Sequence, residues 1–356
     1  MSALPPPDEL PDGDLDALIG ASGIRRVHLL AWRDLDDPEA GGSEIHAVRR
    51  AGRYLVFPRA IAAELLGLHG RRDALAEIWN GVPFFSPLWA AFPRMAFLHH
   101  HHELLWPMVL SPGLARVGSL LERRIAPPCY RNTPVVTLSE SSRASLVRDL
   151  RLPARRVHVV EPGIHPRFSP GGDRSSTPLV VAAGRLMPSK RVDALIHAVA
   201  GVRETGLPAR LEVLGDGEER DLLRELVTRL GAEEWVALRG HVDEADVVDA
   251  YRRAWVVASA SSSEGWGMTL TEAAACATPA VATRIAGHED AVDDGITGLL
   301  ADDDRELSAH LADLLGDADR RSAFSAAARD RSARFDWDRT ATEAFRVLAS
   351  TVPANR

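Results

Sequence analysis

Ser261–Pro279 reads SSSEGWGMTLTEAAACATP, and most other signals in the chain fall into place around it. It follows the apolar run Ala254–Ala260 (AWVVASA), expected to be a buried strand, and opens into Leu270–Cys276, which is Ala-rich with good helix propensity. Between them lie Gly265 and Gly267, small enough for backbone to approach a ligand closely. Glu264 stands on the loop and Glu272 in the first turns of the helix. A helix N-terminus presents unpaired N–H groups that suit phosphate, and carboxylates accept hydrogen bonds from hydroxyls, so the stretch suits a ligand carrying both phosphate and sugar. A structural reading stands beside this one. Thr269 and Glu272 form T-x-x-E, a capping box that would occupy Glu272 with its own backbone. The stretch alone leaves both open.

Outward from it, the same pattern repeats. Strand Leu179–Ala183 leads into GRLMPSKR and helix Val192–Val202. Strand Arg210–Leu214 runs into Gly215-Asp216-Gly217 and helix Glu219–Leu230, and strand Trp235–Leu238 ends at Gly240-His241-Val242 before helix Ala245–Arg253. Beyond the stretch come strand Ala280–Thr283, a loop through Gly287-His288-Glu289, and helices over Glu306–Leu315, Arg320–Ala333 and Thr340–Ala349. The Gly-, Pro- and Ser-rich segment Pro162–Pro178 makes the best boundary. Before it, strands are expected at Val27–Trp32, Tyr54–Phe57, Leu75–Trp79, Met95–His99, Pro134–Leu138 and Val157–Val160. Helices between them are expected at about Ser43–Arg50, Arg59–Leu68, Leu114–Ile125 and Glu140–Leu150. Strands alternating with helices mean parallel sheets covered on both faces, so the fold class is α/β with two Rossmann-like domains. The expected division is a disordered tail at 1–24, a first domain at 25–170, a second at 171–333, and a terminal helix at 334–356 that packs back on the first domain. Two such domains in series bound a cleft with the loops at their strands' C-terminal ends.

The totals fit a soluble two-domain protein: 356 residues, 46% hydrophobic and 26% charged. Two cysteines, Cys129 and Cys276, exclude a disulfide scaffold and a four-cysteine zinc site. No apolar run reaches the ~18 residues of a membrane span, and residues 1–20 are acidic and Pro-rich rather than signal-like, so the expected location is cytoplasmic. The net charge of −8 is unevenly spread: residues 21–170 carry 20 arginines against 13 acids. A basic first half suits an anionic acceptor or peripheral contact with the inner membrane face, although scattered arginines on solvated helices are the commoner explanation of such a charge.

Of 42 basic residues, only Lys190 is a lysine, marking a position for a compact ammonium rather than a planar guanidinium. Arg185 and Lys190 follow a strand, with Lys190 at the start of a helix, an arrangement able to neutralise charge building on a leaving diphosphate. Gly41 and Gly42 occupy the corresponding loop of the first domain. His99–His102 end a strand, where alternate side chains point to opposite faces, so at most two converge on a metal and no metal site is expected. They suit better a single base or hydrogen-bond donor at the cleft, and which histidine points inward depends on the strand's exit.

G-R-L with a lysine five residues on, V-L-G-D-G, R-G-H-V and E-G-W-G-M-T-L-T-E-A, in this order and spacing, resemble family 4 of the glycosyltransferases. The first half agrees, through R-D-L-D-D-P-E-A-G-G-S-E, N-G-V-P-F-F-S-P-L-W, V-T-L-S-E-S-S-R and V-H-V-V-E-P-G-I, which are similar to actinobacterial-type members. The resemblance implies a GT-B fold and metal-independent transfer, with retention at the anomeric carbon, from a UDP- or GDP-sugar to a hydroxyl on a glycan, lipid or small molecule. No separate cofactor and no nucleic acid are implied. Arg185 and Lys190 would hold the donor diphosphate, Glu264 the sugar hydroxyls and Glu272 the ribose. The amides of Gly265, Trp266, Gly267 and Met268, with Thr269, would line sugar and phosphate. Gly215, Gly217 and His241 would border the same site, the Gly41-Gly42 loop would close on the phosphate, and His99 or His100 would face the reacting centre. The chain departs from the family pattern in three places. It is several tens of residues shorter after Gly42, Ala277 replaces a usual Gly, and His165 stands where Asp or Asn is common. A binder disabled by the shortened first domain, or an epimerase or hydrolase on the same fold, are the alternative functions.

Overall fold

The computed structural model of the chain describes residues 27–31, 45–49, 56–68, 74–102 and 106–351. The expected tail at 1–24 and the Gly41-Gly42 loop lie outside the described residues.

The first half holds two parallel sheets. Strands β1 (Val27–Ala31) and β2 (Ile45–Arg49) pair in register as a two-stranded sheet. The helix expected over Ser43–Arg50 is therefore corrected to a strand. Eight residues are too few to repay helix nucleation without a packed face, and Ile45 and Val48 are β-branched residues that a parallel ladder accepts readily. The strand expected at Tyr54–Phe57 is corrected in its described part, since helix Val56–Leu65 already contains Val56 and Phe57; Tyr54 and Leu55 lie outside the described residues. Strands β3 (Leu75–Ile78), β4 (Arg94–Phe97), β5 (Val135–Thr137) and β6 (Val157–Val159) form a four-stranded parallel sheet in that order.

Short strands work here because both faces are covered. On one face Trp79, Leu98, Tyr130, Leu146, Leu150 and Val157 form a buried cluster, with the rings of Trp79 and Tyr130 4.8 Å apart. On the other, Met95, Val136 and Val160 meet Ala344 of helix Trp337–Ala349, the last helix of the chain. That helix is reached by a double crossing: Ile164 N–H donates to Phe335 O (3.2 Å), and Thr340 Oγ1 donates to Glu161 O (2.7 Å). At the free edge, β3 leaves Ile78 54% exposed.

In the second half, β7 (Leu179–Ala183), β8 (Arg210–Leu214), β9 (Val236–Gly240), β10 (Val256–Ser259), β11 (Ala280–Thr283) and β12 (Gly298–Ala301) make one parallel sheet in the order β12-β11-β10-β7-β8-β9. This is the doubly wound order, whose direction of winding reverses between β7 and β10. Large buried clusters cover both faces, one including Ile196, Leu211, Leu223 and Leu311, the other Val181, Tyr251, Val257, Trp266 and Leu270. The segment expected as a loop through Gly287-His288-Glu289 is corrected to helix Ala286–Ala291, and β12 was not anticipated. Both are short: six residues interrupted by Gly287, and four residues after a turn.

Candidate functional site

At the reversal point, the loops after β7 and β10 diverge to opposite faces of the sheet and leave a crevice between them. Gly184, Arg185 and Lys190 follow β7, while Ser261, Glu264 and Gly265 follow β10. Arg185, Lys190, Ser261 and Thr269 line the same small cavity. A one-turn helix, Pro188–Lys190, turns the lysine inward, and its Nζ bonds Oε1 of Glu264. The same oxygen accepts from Ser261 Oγ at 2.8 Å. Arg185 is exposed, with its guanidinium 3.2 Å from Glu218.

Gly215 sits beside this loop with φ +132°, and a β-carbon there would stand 2.0 Å from Gly184 O, so only glycine lets the ends of β7 and β8 meet. Gly217 follows it, its amide donating to Asp216 Oδ1 at 2.8 Å. His241, beyond edge strand β9, is exposed and stands outside this cluster.

Gly267 is the N-cap of helix Met268–Ala275, and no side chain caps that end. Thr269 thus lies inside the helix, and the T-x-x-E capping box does not form. Glu272 instead lies near Tyr251, and burial pushes its carboxyl up to about 7, the Tyr251 hydroxyl opposing the shift. The Trp266 side chain is core, edge-on to Phe335 at 5.5 Å. Met268 is half-buried against the same core.

The first domain reaches this loop directly. Gly265 O accepts from Ser142 Oγ (3.2 Å) and Ser139 Oγ (3.4 Å), and Ser141 Oγ bonds Asp290. A β-carbon on Gly265 would stand 3.0 Å from His100 Nδ1 and 3.0 Å from His99 O. Of the two histidines left open by the sequence, His100 presents its ring to the loop. Burial, together with neighbouring His102, His99, His101 and Lys190, pushes it down to about 3, so it is neutral across ordinary pH. His99 turns its carbonyl to Thr137 Oγ1 (3.2 Å), and burial lowers its pKa as well.

Sequence reasoning missed several groups. Fully buried His288 holds Thr283 O through Nδ1 (2.8 Å), burial keeps its pKa below the usual histidine value, and Thr283 Oγ1 donates to Ser261 O (2.6 Å). A G-H-E turn offered a signal for His288; Ser139, Ser141 and Ser142 offered only the S-E-S-S run.

Two parallel-sheet α/β domains, meeting through the loops at the C-terminal ends of their strands, define the GT-B class. Residues 168–331 match the family described as glycosyl transferases group 1. Among relatives, a D-inositol 3-phosphate glycosyltransferase from Thermobispora bispora is 33% identical over 236 residues, covering 58% of this chain and 55% of its own. Thus the chain spans about half the length of the relatives it matches. Among solved structures, sucrose-phosphate synthase from Thermosynechococcus elongatus superposes with a TM-score of 0.73 at 18% identity, covering 93% of this chain and 94% of that one. Anabaena HepE (Alr3699), solved with UDP, gives 0.71 at 18%, covering 91% of this chain and all of its own. Residues 168–331 are thus similar to the glycosyl transferases group 1 family, and the resemblance to family 4 of the glycosyltransferases and to the GT-B fold is borne out.

Proposed function

We propose that the protein is a retaining, metal-independent hexosyltransferase that moves a sugar from a UDP- or GDP-sugar to a hydroxyl acceptor. The observation that carries this reading is the Lys190–Glu264 pair at the reversal point of the second sheet, which sets a cation and a carboxylate side by side where such sheets bind ligands. In this reading Lys190 and Arg185 neutralise the charge that develops on the departing diphosphate. Glu264 accepts hydrogen bonds from the donor sugar, and the amides at Gly265–Met268 face sugar and phosphate. The leaving phosphate takes the acceptor hydroxyl's proton on the same face, which retains the anomeric configuration. His100, held neutral, is a hydrogen-bond partner at the reacting face rather than a charged group. HepE with bound UDP and the D-inositol 3-phosphate glycosyltransferases support a nucleotide-sugar donor and a polyol-type acceptor.

The test is turnover of UDP- and GDP-hexoses with a panel of hydroxyl acceptors, the product's anomeric configuration being read by NMR. Retained configuration supports the reading, and inversion contradicts the mechanism. Donor binding without turnover favours a non-catalytic relative; release of free sugar with water alone, or epimerised donor, favours the hydrolase or epimerase.

We place the protein in the cytoplasm with peripheral contact at the inner membrane face. No helix among the described residues is long and apolar enough to cross a membrane. Helix Pro112–Leu120 and the turn after it expose Leu114, Val117, Leu120 and Ile125 beside Arg116, Arg123 and Arg124, a mixture suited to an anionic interface. Co-sedimentation with anionic but not neutral vesicles checks this, and equal recovery with both contradicts it.

A further inference from the structure

We propose that Glu122 is a positioning residue for the transfer read above: it clamps His102 and, through the contact between the His102 and His100 rings, sets where His100 meets the Gly265 loop. The inference rests on the proposed donor site but draws on a different set of contacts.

Glu122 is 0% exposed, and a carboxylate withdrawn from water to that degree is costly unless it is fully hydrogen-bonded. It is. Oε1 accepts from the His102 backbone N–H at 2.9 Å and lies 3.0 Å from His102 Nδ1, while Oε2 accepts from Trp106 Nε1 at 2.8 Å. All these donors belong to the segment that leaves β4 through the histidine run. Gripping one histidine by both backbone and ring fixes its tautomer and ring plane, because the partner of one ring nitrogen decides which nitrogen carries the proton. The Nε2 edge of the same ring lies 2.7 Å from Asn80 Oδ1, so the ring is pinned at both ends.

Local backbone explains how the carboxylate reaches inward. Helix Pro112–Leu120 widens into a π turn at Leu121–Ile125, a distortion that recurs at functional sites. That turn buries Glu122 while its neighbours Arg123, Arg124 and Ile125 stay exposed. From the clamp the contacts run towards the crevice. The ring centroids of His102 and His100 are 4.7 Å apart, and His100 Nδ1 faces Gly265, next to the loop that carries Glu264. A series of packed groups thus leads from a buried carboxylate in the first domain to the glutamate loop of the second.

The test is 15N-histidine NMR on the full chain, as wild type, Glu122→Gln and His102→Gln, before and after adding UDP or GDP, with kcat and donor KM measured alongside. Glu122→Gln should shift the His102 Nδ1 signal and also move that of His100. It should lower kcat about tenfold or more and leave donor KM within about twofold. His102→Gln, which keeps the backbone and Trp106 bonds of Glu122, should lower kcat equally, and the double variant should be no worse than either alone. A His100 signal unmoved by Glu122→Gln, or unchanged kcat in either variant, overturns the proposal. If neither nucleotide perturbs any resonance in wild type, the donor reading fails, while the response of His100 to Glu122→Gln still decides the clamp.

Discussion

Lys190 Nζ is bonded to Oε1 of Glu264, a residue 74 positions later that belongs to a different loop of the same sheet. The two strands feeding these loops, β7 and β10, are hydrogen-bonded neighbours although β8 and β9 lie between them in sequence. The doubly wound strand order is thus what brings the pair together. In water such a pair contributes little to stability; in the proposed function Lys190 faces the departing diphosphate and Glu264 the sugar, so both act on the transition state.

Replacing either partner should therefore affect turnover far more than folding. Lys190→Ala and Glu264→Gln are each expected to lower kcat about 10²–10³-fold, with the melting temperature shifted little. Lys190→Arg should fail to restore activity, because a planar fork does not replace a compact ammonium. Steady-state kinetics beside a melting curve for each variant checks this.

Glu272 gives a pH dependence of stability. Burial raises its carboxyl from 4.5 to about 7, so the native state keeps a proton that the unfolded chain releases across that window. Stability contributed by this group is present below the unfolded value and is lost as pH rises to about 7, with a slope of at most about 1.4 kcal/mol per pH unit. Urea titrations at several pH values should show this decline in wild type and its removal in Glu272→Gln.

The helix that follows Glu264 ends in strain. Ala277 has φ +58° in a Schellman turn, with Thr278 N–H donating to Ala273 O and Ala277 N–H to Ala274 O, both at 2.9 Å. Glycine, which has no β-carbon to meet the following carbonyl, adopts this conformation without that cost. Ala277→Gly should raise stability by about 1 kcal/mol, and Ala277→Val should lower it, as read by chemical denaturation.

The Gly265 carbonyl is buried and receives two hydroxyls from the first domain. Removing both in Ser139→Ala/Ser142→Ala leaves it short of donors, at a cost of about 1–3 kcal/mol. Because the bonds cross between domains, donor affinity should fall together with thermal stability. Calorimetric titration with the donor, beside a melting curve, separates the two effects.

Much of the second domain was legible in the sequence because its strands are continuous apolar runs closed by glycine turns. Leu179–Ala183, Arg210–Leu214 and Ala280–Thr283 fall where the pattern put them. The pattern failed where elements are too short to carry a period. Ile45–Arg49 has five residues and takes its conformation from pairing with β1, and β12 has only four. In the candidate site, Lys190 stood out by its rarity and Glu264 by its glycine-rich loop. The bonds from Ser139 and Ser142 to Gly265 span 126 and 123 residues, and the Glu122–His102 contact depends on a π turn. Such contacts exist only once the elements have packed.

In the proposed function the Lys190–Glu264 crevice takes a nucleoside-diphosphate sugar. Thermal denaturation of wild type and Lys190→Ala with UDP, GDP and their hexose conjugates tests it most directly. A ligand that binds only the folded chain stabilises it by about 2.7 kcal/mol at a hundredfold excess over Kd. A clear upward shift is expected for one nucleotide series in wild type, much reduced in Lys190→Ala. No shift with any nucleotide, or an equal shift in both proteins, would contradict it.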